Sequence, residues 1–386
     1  MRILRKLLDR VAPSFHQGGK LEKLYPLYDA IDTILYVPSE TADHGPYIRD
    51  HVDVKRSMIF VVIALIPCLL FGIYNAGYQA AGAFATEKPF IDLFLSGAYV
   101  VAPMYAVVFT IGGLCEGLFA VVRKHEINEG FLVTGMLIPL TMPPTIPLWM
   151  LALATFFGIV IGKEIFGGTG YNIFNPALMA RAFIFFAYPT TMSGDKVWTI
   201  DGLSGATPLL KVASGNGDNP ISLLGNYSWS DMFFGFIPGS VGETSTLCCL
   251  LGALFLIVTG IGSWRTMCAV LIGMLSMTLI MNQFGQLIGS QNPMLFIPPH
   301  YHFVMGGFAF GMIFMATDPV SSAHTKAGMW YYGVLVGFMC ILIRAINPAY
   351  PEGMMLAILF ANAFAPLFDY YVLEANVKRR KMRYEK

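Results

Sequence analysis

Residues 201–210 read DGLSGATPLL, a glycine-punctuated stretch with one carboxylate, Asp201, and two hydroxyls, Ser204 and Thr207. As a surface turn it is self-consistent. Asp and Ser bond their own backbone, Gly permits positive φ, and Pro208 holds Thr207 extended. A second stretch, EIFGGTGYNIFNPA (164–177), holds Gly167, Gly168 and Gly170, which permit close backbone approach ahead of a helix N-terminus. Its amides, Asn172 and Asn175, each offer a donor and an acceptor. It is not a Walker loop, because no Gly-Lys-Ser/Thr follows, and a capped re-entrant turn is the alternative reading. A third set is acidic: Glu116, Asp318 and Asp369 fall in or at the ends of oily segments. Carboxylates at membrane depth mark ion paths or pairs. Phe310, Phe314 and Asp318 share one helix face at i,i+4 spacing, so two rings would stand over an anion as a gate. Helix capping is the alternative for Asp318 and Asp369, with Arg181 and Arg344 as candidate partners.

These residues are set in a chain of 386 residues that is 55% hydrophobic and 13% charged. A soluble domain carries about 25% charged residues. The apolar residues come in blocks, and a spanning helix needs roughly 20 of them. The fold class expected is all-α: a polytopic membrane protein of ten spans, at 57–75, 98–122, 131–142, 147–165, 173–189, 243–261, 264–282, 300–317, 327–346 and 353–373. No early apolar block resembles a secretory signal. A net charge of +1 argues against a nucleic-acid partner. The six cysteines lie in apolar segments without metal-like spacing and read as small buried hydrophobes.

Lys and Arg set the orientation. With both termini in the cytoplasm, 20 of the 25 fall inside and three (Lys88, Lys196, Lys211) outside. Thr207 is then extracytoplasmic. GMLIPLTMPP (135–144) aligns with GMIFMATDPV (311–320), and NPA at 175–177 with NPA at 347–349, at offsets of 176 and 172. The first pair lies five spans apart, so the copies face opposite ways. Two inverted five-helix repeats with broken helices follow. The organisation expected is a cytoplasmic region 1–56, a first membrane half 57–189, an extracytoplasmic loop 190–242, a second half 243–373 and a basic tail 374–386.

The loop is similar to the S/T-G-A-T signature on which certain bacterial membrane proteins carry FMN. VRKHEINEGF (122–131), GKEIFGGTGYNIFNPAL (162–178), GGFAFGMIFMATDP (306–319) and INPAYPEGMMLAILFAN (346–362) extend the likeness along the chain. The chain resembles the B-subunit family of the sodium-translocating NADH:quinone oxidoreductases. The resemblance implies a component of a bacterial inner-membrane complex that carries electrons from FMN through riboflavin to ubiquinone while exporting sodium. It makes Thr207 the FMN phosphoester site, with Asp201, Ser204, Gly205 and Ala206 as recognition residues. A separate flavin transferase is implied, because an unaided threonine hydroxyl is a poor nucleophile. It also makes Asn172 and Asn175 the riboflavin amides. Quinone reduction is placed around the N-terminal region and Gly112, Gly113 and Glu116. Sodium, with no site specified, comes from the resemblance alone, although oxygen-rich sites suit hard cations. Other subunits would supply NADH oxidation and iron–sulfur centres.

His16, His44 and His51 show no familiar ligand spacing, and the basic N-terminal stretch reads as a surface anchor. Two rival readings remain: the D subunits of the ferredoxin-linked Rnf-type complexes, which share the threonine signature, and a flavin-free inverted-repeat channel or transporter.

Overall fold

The computed structural model describes residues 2–15, 54–82, 87–123, 130–192, 199–200, 203–204, 206–215, 219–225, 227–347 and 351–384, with single positions at 19, 21, 24, 25, 28, 32 and 85. Asp201, Gly205, His16, His44 and His51 lie outside the described residues, and of Ser204 only the backbone is described.

A basic helix, α1 (Arg2–Phe15), precedes the membrane region. Arg5 ties it together, pairing with Asp9 one turn on at 2.9 Å and with Asp32 at 2.7 Å. The first half comprises α2 (Val54–Ala81), α3 (Phe90–Arg123), α4 (Gly130–Thr141), α5 (Leu148–Phe156) and α6 (Pro176–Ala187). Then come β1 (Thr199–Ile200) and β2 (Leu203–Ser204), a small antiparallel ribbon in an otherwise helical chain. Next are the short α7 (Pro208–Ser214) and α8 (Trp229–Phe234). The second half is α9 (Thr246–Val258), α10 (Trp264–Leu287), α11 (Pro299–Val304), α12 (Phe308–Phe310), α13 (Gly328–Ile346) and α14 (Met354–Tyr384).

All ten apolar segments are helical, but they are not ten equal spans. Six helices among the described residues are long and apolar enough to cross a membrane. α4 and α6 have 12 residues and α9 has 13. At 1.5 Å per residue these are about 20 Å long, against a hydrocarbon core of about 30 Å. Local chemistry explains the shortness. Pro143-Pro144 stops α4, and Asn175-Pro176 caps the start of α6. The eighth segment is broken in two, with Gly306 at φ +64° between α11 and α12, followed by a π turn over Gly311–Met315. The third segment is as short as its expected bounds, 131–142, whereas segments five, six and eight hold shorter helices than their apolar runs, because an apolar run need not be one uninterrupted hydrogen-bonded helix.

Close approach of backbones holds the long helices together. A Cβ on Gly337 of α13 would lie 2.0 Å from the Val270 carbonyl of α10, and one on Gly273 would lie 2.2 Å from that of Val334. Without a hydrophobic drive between helices in lipid, such small-residue contacts are what pack them. Like-placed segments of the two halves touch: α2 packs on α9, and α6 on α14. One apolar core runs through the membrane helices. A second, formed by Leu209, Val212 and Met232 with Ile297 and Met305, fastens the 208–237 stretch to the break in segment eight. Of the cysteines, Cys68, Cys249 and Cys340 are buried; Cys268 is exposed on the apolar outside, so the buried reading fails for it.

Candidate functional site: a polar cavity between broken helices

The turn after α5 builds one wall of a cavity. Gly167, Gly168 and Gly170 all take positive φ, +127°, +96° and +96°, which side-chain-bearing residues rarely adopt. They fold the chain back so that Lys163, Thr169, Asn172 and Asn175 face the same space. The opposite wall is the end of segment eight, Phe314, Thr317 and Asp318; the N-terminal turns of α2 and α4 complete it. The amide pair and, of the expected gate, Phe314 and Asp318, which the sequence offered as two sites, share one cavity.

Each polar group there has a defined state. Asn175 caps α6, its Oδ1 accepting from the Ala177 and Leu178 N–H groups at 3.0 and 3.3 Å, and its Nδ2 donates to Asp318 Oδ2 at 3.4 Å. Its amide is therefore engaged as a helix cap and as the partner of Asp318. Asn172 Nδ2 donates to the Phe174 carbonyl at 3.0 Å. Thr169 Oγ1 is buried with no hydrogen-bond partner among the described residues. An orphaned hydroxyl on a cavity wall costs free energy until a polar ligand satisfies it, so this wall fits a ligand with polar edges such as riboflavin. Asp318 also accepts from Ser321 Oγ at 2.7 Å and the Val320 N–H at 3.2 Å. The Phe310 and Phe314 rings touch, with centroids 5.0 Å apart. Phe314 lines the cavity, and Phe310 is buried along the same segment.

Glu116 joins the cavity through Lys163. The two form an ion pair with both side chains almost fully buried. Lys163 was legible only as a cytoplasmic cation; the adjoining acid and base in GKE were the available signal. One turn before Glu116, Gly112 makes room for a ring, since a Cβ there would lie 2.4 Å from Phe131 Cε2, whereas Gly113 is looser at 3.9 Å. Asp369 stands apart from the cavity. It accepts from the N–H groups of His324 and Thr325 at 2.7 and 2.9 Å and from the Thr325 hydroxyl, ordering the turn into α13. That is the capping alternative.

The expected partnership of Arg181 and Arg344 with Asp318 and Asp369 is corrected. Arg181 pairs with Glu243 and Glu352, two acids the sequence reading did not single out. Arg344 donates to the carbonyls of His302, Met305 and Glu352. The reason is depth: Arg181 lies six residues beyond Asn175, about 9 Å along α6 and away from the cavity.

Thr207 is the N-cap of α7, its Oγ1 accepting from the Leu210 N–H at 3.4 Å, and is half-buried. Lys211 Nζ sits 4.1 Å over the Tyr227 ring, and burial pushes the Tyr227 phenol up. Two residues after Thr207, Leu209 packs in the second core with Met305. Met305 opens the stretch of segment eight that ends at Asp318 on the cavity wall. Thr207 and the cavity therefore lie toward opposite ends of one segment.

The six long apolar helices and the shorter, broken ones among them define a polytopic helical membrane protein. The model of the NQR2, RnfD, RnfE family matches residues 41–378. The chain is 49% identical to the B subunit of a Na(+)-translocating NADH-quinone reductase of Klebsiella pneumoniae, over 98% of this chain and 99% of that one. It is 50% identical to that of Ectopseudomonas mendocina over 98% and 99%, and 49% to that of Yersinia pestis over 99% and 100%. The chain belongs to this family, among the B subunits of Na(+)-translocating NADH-quinone reductases, as the sequence resemblance implied.

Proposed function

We propose that this chain, as the B subunit of a Na(+)-translocating NADH-quinone reductase, would hold FMN through a phosphoester on Thr207 and riboflavin against the wall formed by Thr169, Asn172 and Asn175. Bound there, the two flavins supply the electron-carrying chemistry that ends on ubiquinone. The observation that carries this reading is the placement of Thr207 and the cavity toward opposite ends of segment eight. In the proposed topology the ten apolar segments form two inverted five-helix repeats with both termini cytoplasmic, in a bacterial inner membrane. The contacts of α2 with α9 and of α6 with α14 support that symmetry. Thr207 then faces outward and the cavity inward. Other subunits, a flavin transferase and membrane quinone are the partners of this reading.

The protein's own groups position and gate. Gly167, Gly168 and Gly170 shape the wall, and Asn175 fixes the Asp318 carboxylate at the cavity edge. Phe314 and Phe310 close the path beyond it, so a cation drawn to Asp318 meets a hydrophobic constriction. The Lys163–Glu116 pair places a carboxylate on the quinone side, beside Gly112 and Gly113. The recognition roles of Asp201, Ser204, Gly205 and Ala206, and a place for Asp369 in the ion path, stay part of this proposal.

Two experiments test it. Asn172→Leu with Thr169→Val should lower the acid-extractable flavin of the purified complex by about one per complex, while its covalent flavin fluorescence stays. Full retention of extractable flavin would remove this wall from the binding site. Separately, Asp318→Ala should raise the sodium concentration needed for half-maximal quinone reduction by about tenfold. An unchanged sodium dependence takes Asp318 out of the path.

A further inference from the structure

We propose that Arg344 is a cationic barrier that plugs the break in segment eight, so that a cation passes only when turnover displaces the guanidinium. This rests on the reading of Asp318 and the two phenylalanines as the ion path.

Unwinding a helix inside a membrane frees carbonyl oxygens, which must be satisfied. In transporters with broken helices, such oxygens bind the cargo cation. Here α11 ends at Val304 and α12 begins at Phe308, and the freed oxygens are taken by a side chain. Arg344 Nη1 donates to the His302 carbonyl at 2.9 Å and Nη2 to that of Met305 at 2.9 Å. Its Nε donates to the Glu352 carbonyl at 3.0 Å. The guanidinium also lies over the Phe308 ring, 5.7 Å from its centroid. It is 1% exposed and forms no ion pair among the described residues. The nearby acids, Glu243 and Glu352, are held by Arg181. A cation-coordinating station is thus built and filled by a tethered cation.

Its place matters. Phe308, under the Arg344 guanidinium, is followed on the same segment by Phe310, Phe314 and Asp318. A sodium ion leaving the cavity along this path meets two apolar rings and then a fixed positive charge. Arginine cannot relieve that charge by losing a proton. Positive side chains bar cations in other pores by the same repulsion.

The test uses the whole complex in sealed liposomes and reads passive entry of radioactive sodium without NADH, together with sodium moved per electron and quinone reduction. With Arg344→Gln, passive entry should rise about tenfold or more and sodium per electron should fall, while quinone reduction persists. Arg344→Lys keeps the charge with fewer donors, and should stay as tight as the parent. A tight Arg344→Gln complex, or an Arg344→Lys complex that leaks as the Gln variant does, overturns the barrier. Should the Gln variant not assemble, shown by loss of the fluorescent flavin band on a native gel, Arg344→Met is read in its place: leaking upholds the barrier and tight overturns it. Failure of the underlying reading shows separately, as an Asp318→Ala complex whose sodium dependence is unchanged. The passive leak, measured without turnover, still decides for or against the plug.

Discussion

Thr207→Ala should abolish the fluorescent flavin band that the proposed phosphoester gives this chain on a denaturing gel, because only a covalent bond survives unfolding. Thr207→Ser keeps a hydroxyl at the same point and should retain the band in part. Structural damage does not explain a total loss. The Thr207 hydroxyl makes one long bond, 3.4 Å to the Leu210 N–H, at the start of a seven-residue helix. Losing a cap of that kind costs about 1 kcal/mol. The second core beneath it, through Leu209 and Val212, is left intact. Mass spectrometry of the peptide from Val197 to Lys211 reads the same event by mass. A fluorescent band in the Ala variant would place the attachment elsewhere.

Arg181→Met should destabilise the complex by about 3–5 kcal/mol, the cost of stripping one partner from a buried ion pair. Here the loss strands two acids, Glu243 and Glu352, one of them 7% exposed. The measurements are the apparent melting temperature of the complex and the yield of assembled complex. Adding Glu243→Gln to Arg181→Met should recover part of the loss, since contacting residues are not additive. A double variant no better than the single would mean that Arg181 contributes packing rather than charge. A three-element junction is at stake: α6, the residues before α9 and the residues before α14 meet at this cluster.

The two predictions differ in how far they were legible before any coordinates. The threonine could be proposed because the resemblance that singles it out is a short local signature. Arg181 could be flagged as a charge at membrane depth, but its partners lie 62 and 171 residues away. Lys163 and Thr169 were passed over for a similar reason. A lysine near a membrane end reads as a topology signal until the glycine turn is seen to carry it inward beside Glu116. Asn175 shows the opposite case: its N-capping is written in Asn-Pro-Ala, and the structure keeps it while adding Asp318, 143 residues away.

The membrane class, the apolar segments, the charge asymmetry and the paired motifs were set by the amino-acid order alone. Hydrophobic length, proline stops and glycine turns act over a few residues, so they can be read along a line. Which carboxylate meets which amide, that the gate and the amide pair share a cavity, and that Arg344 satisfies the carbonyls of a broken helix were decided only by tertiary packing. Those contacts depend on how backbones approach at glycines such as Gly273 and Gly337, and on where short helices stop in depth. Both follow from the summed packing of distant segments, which no local window contains.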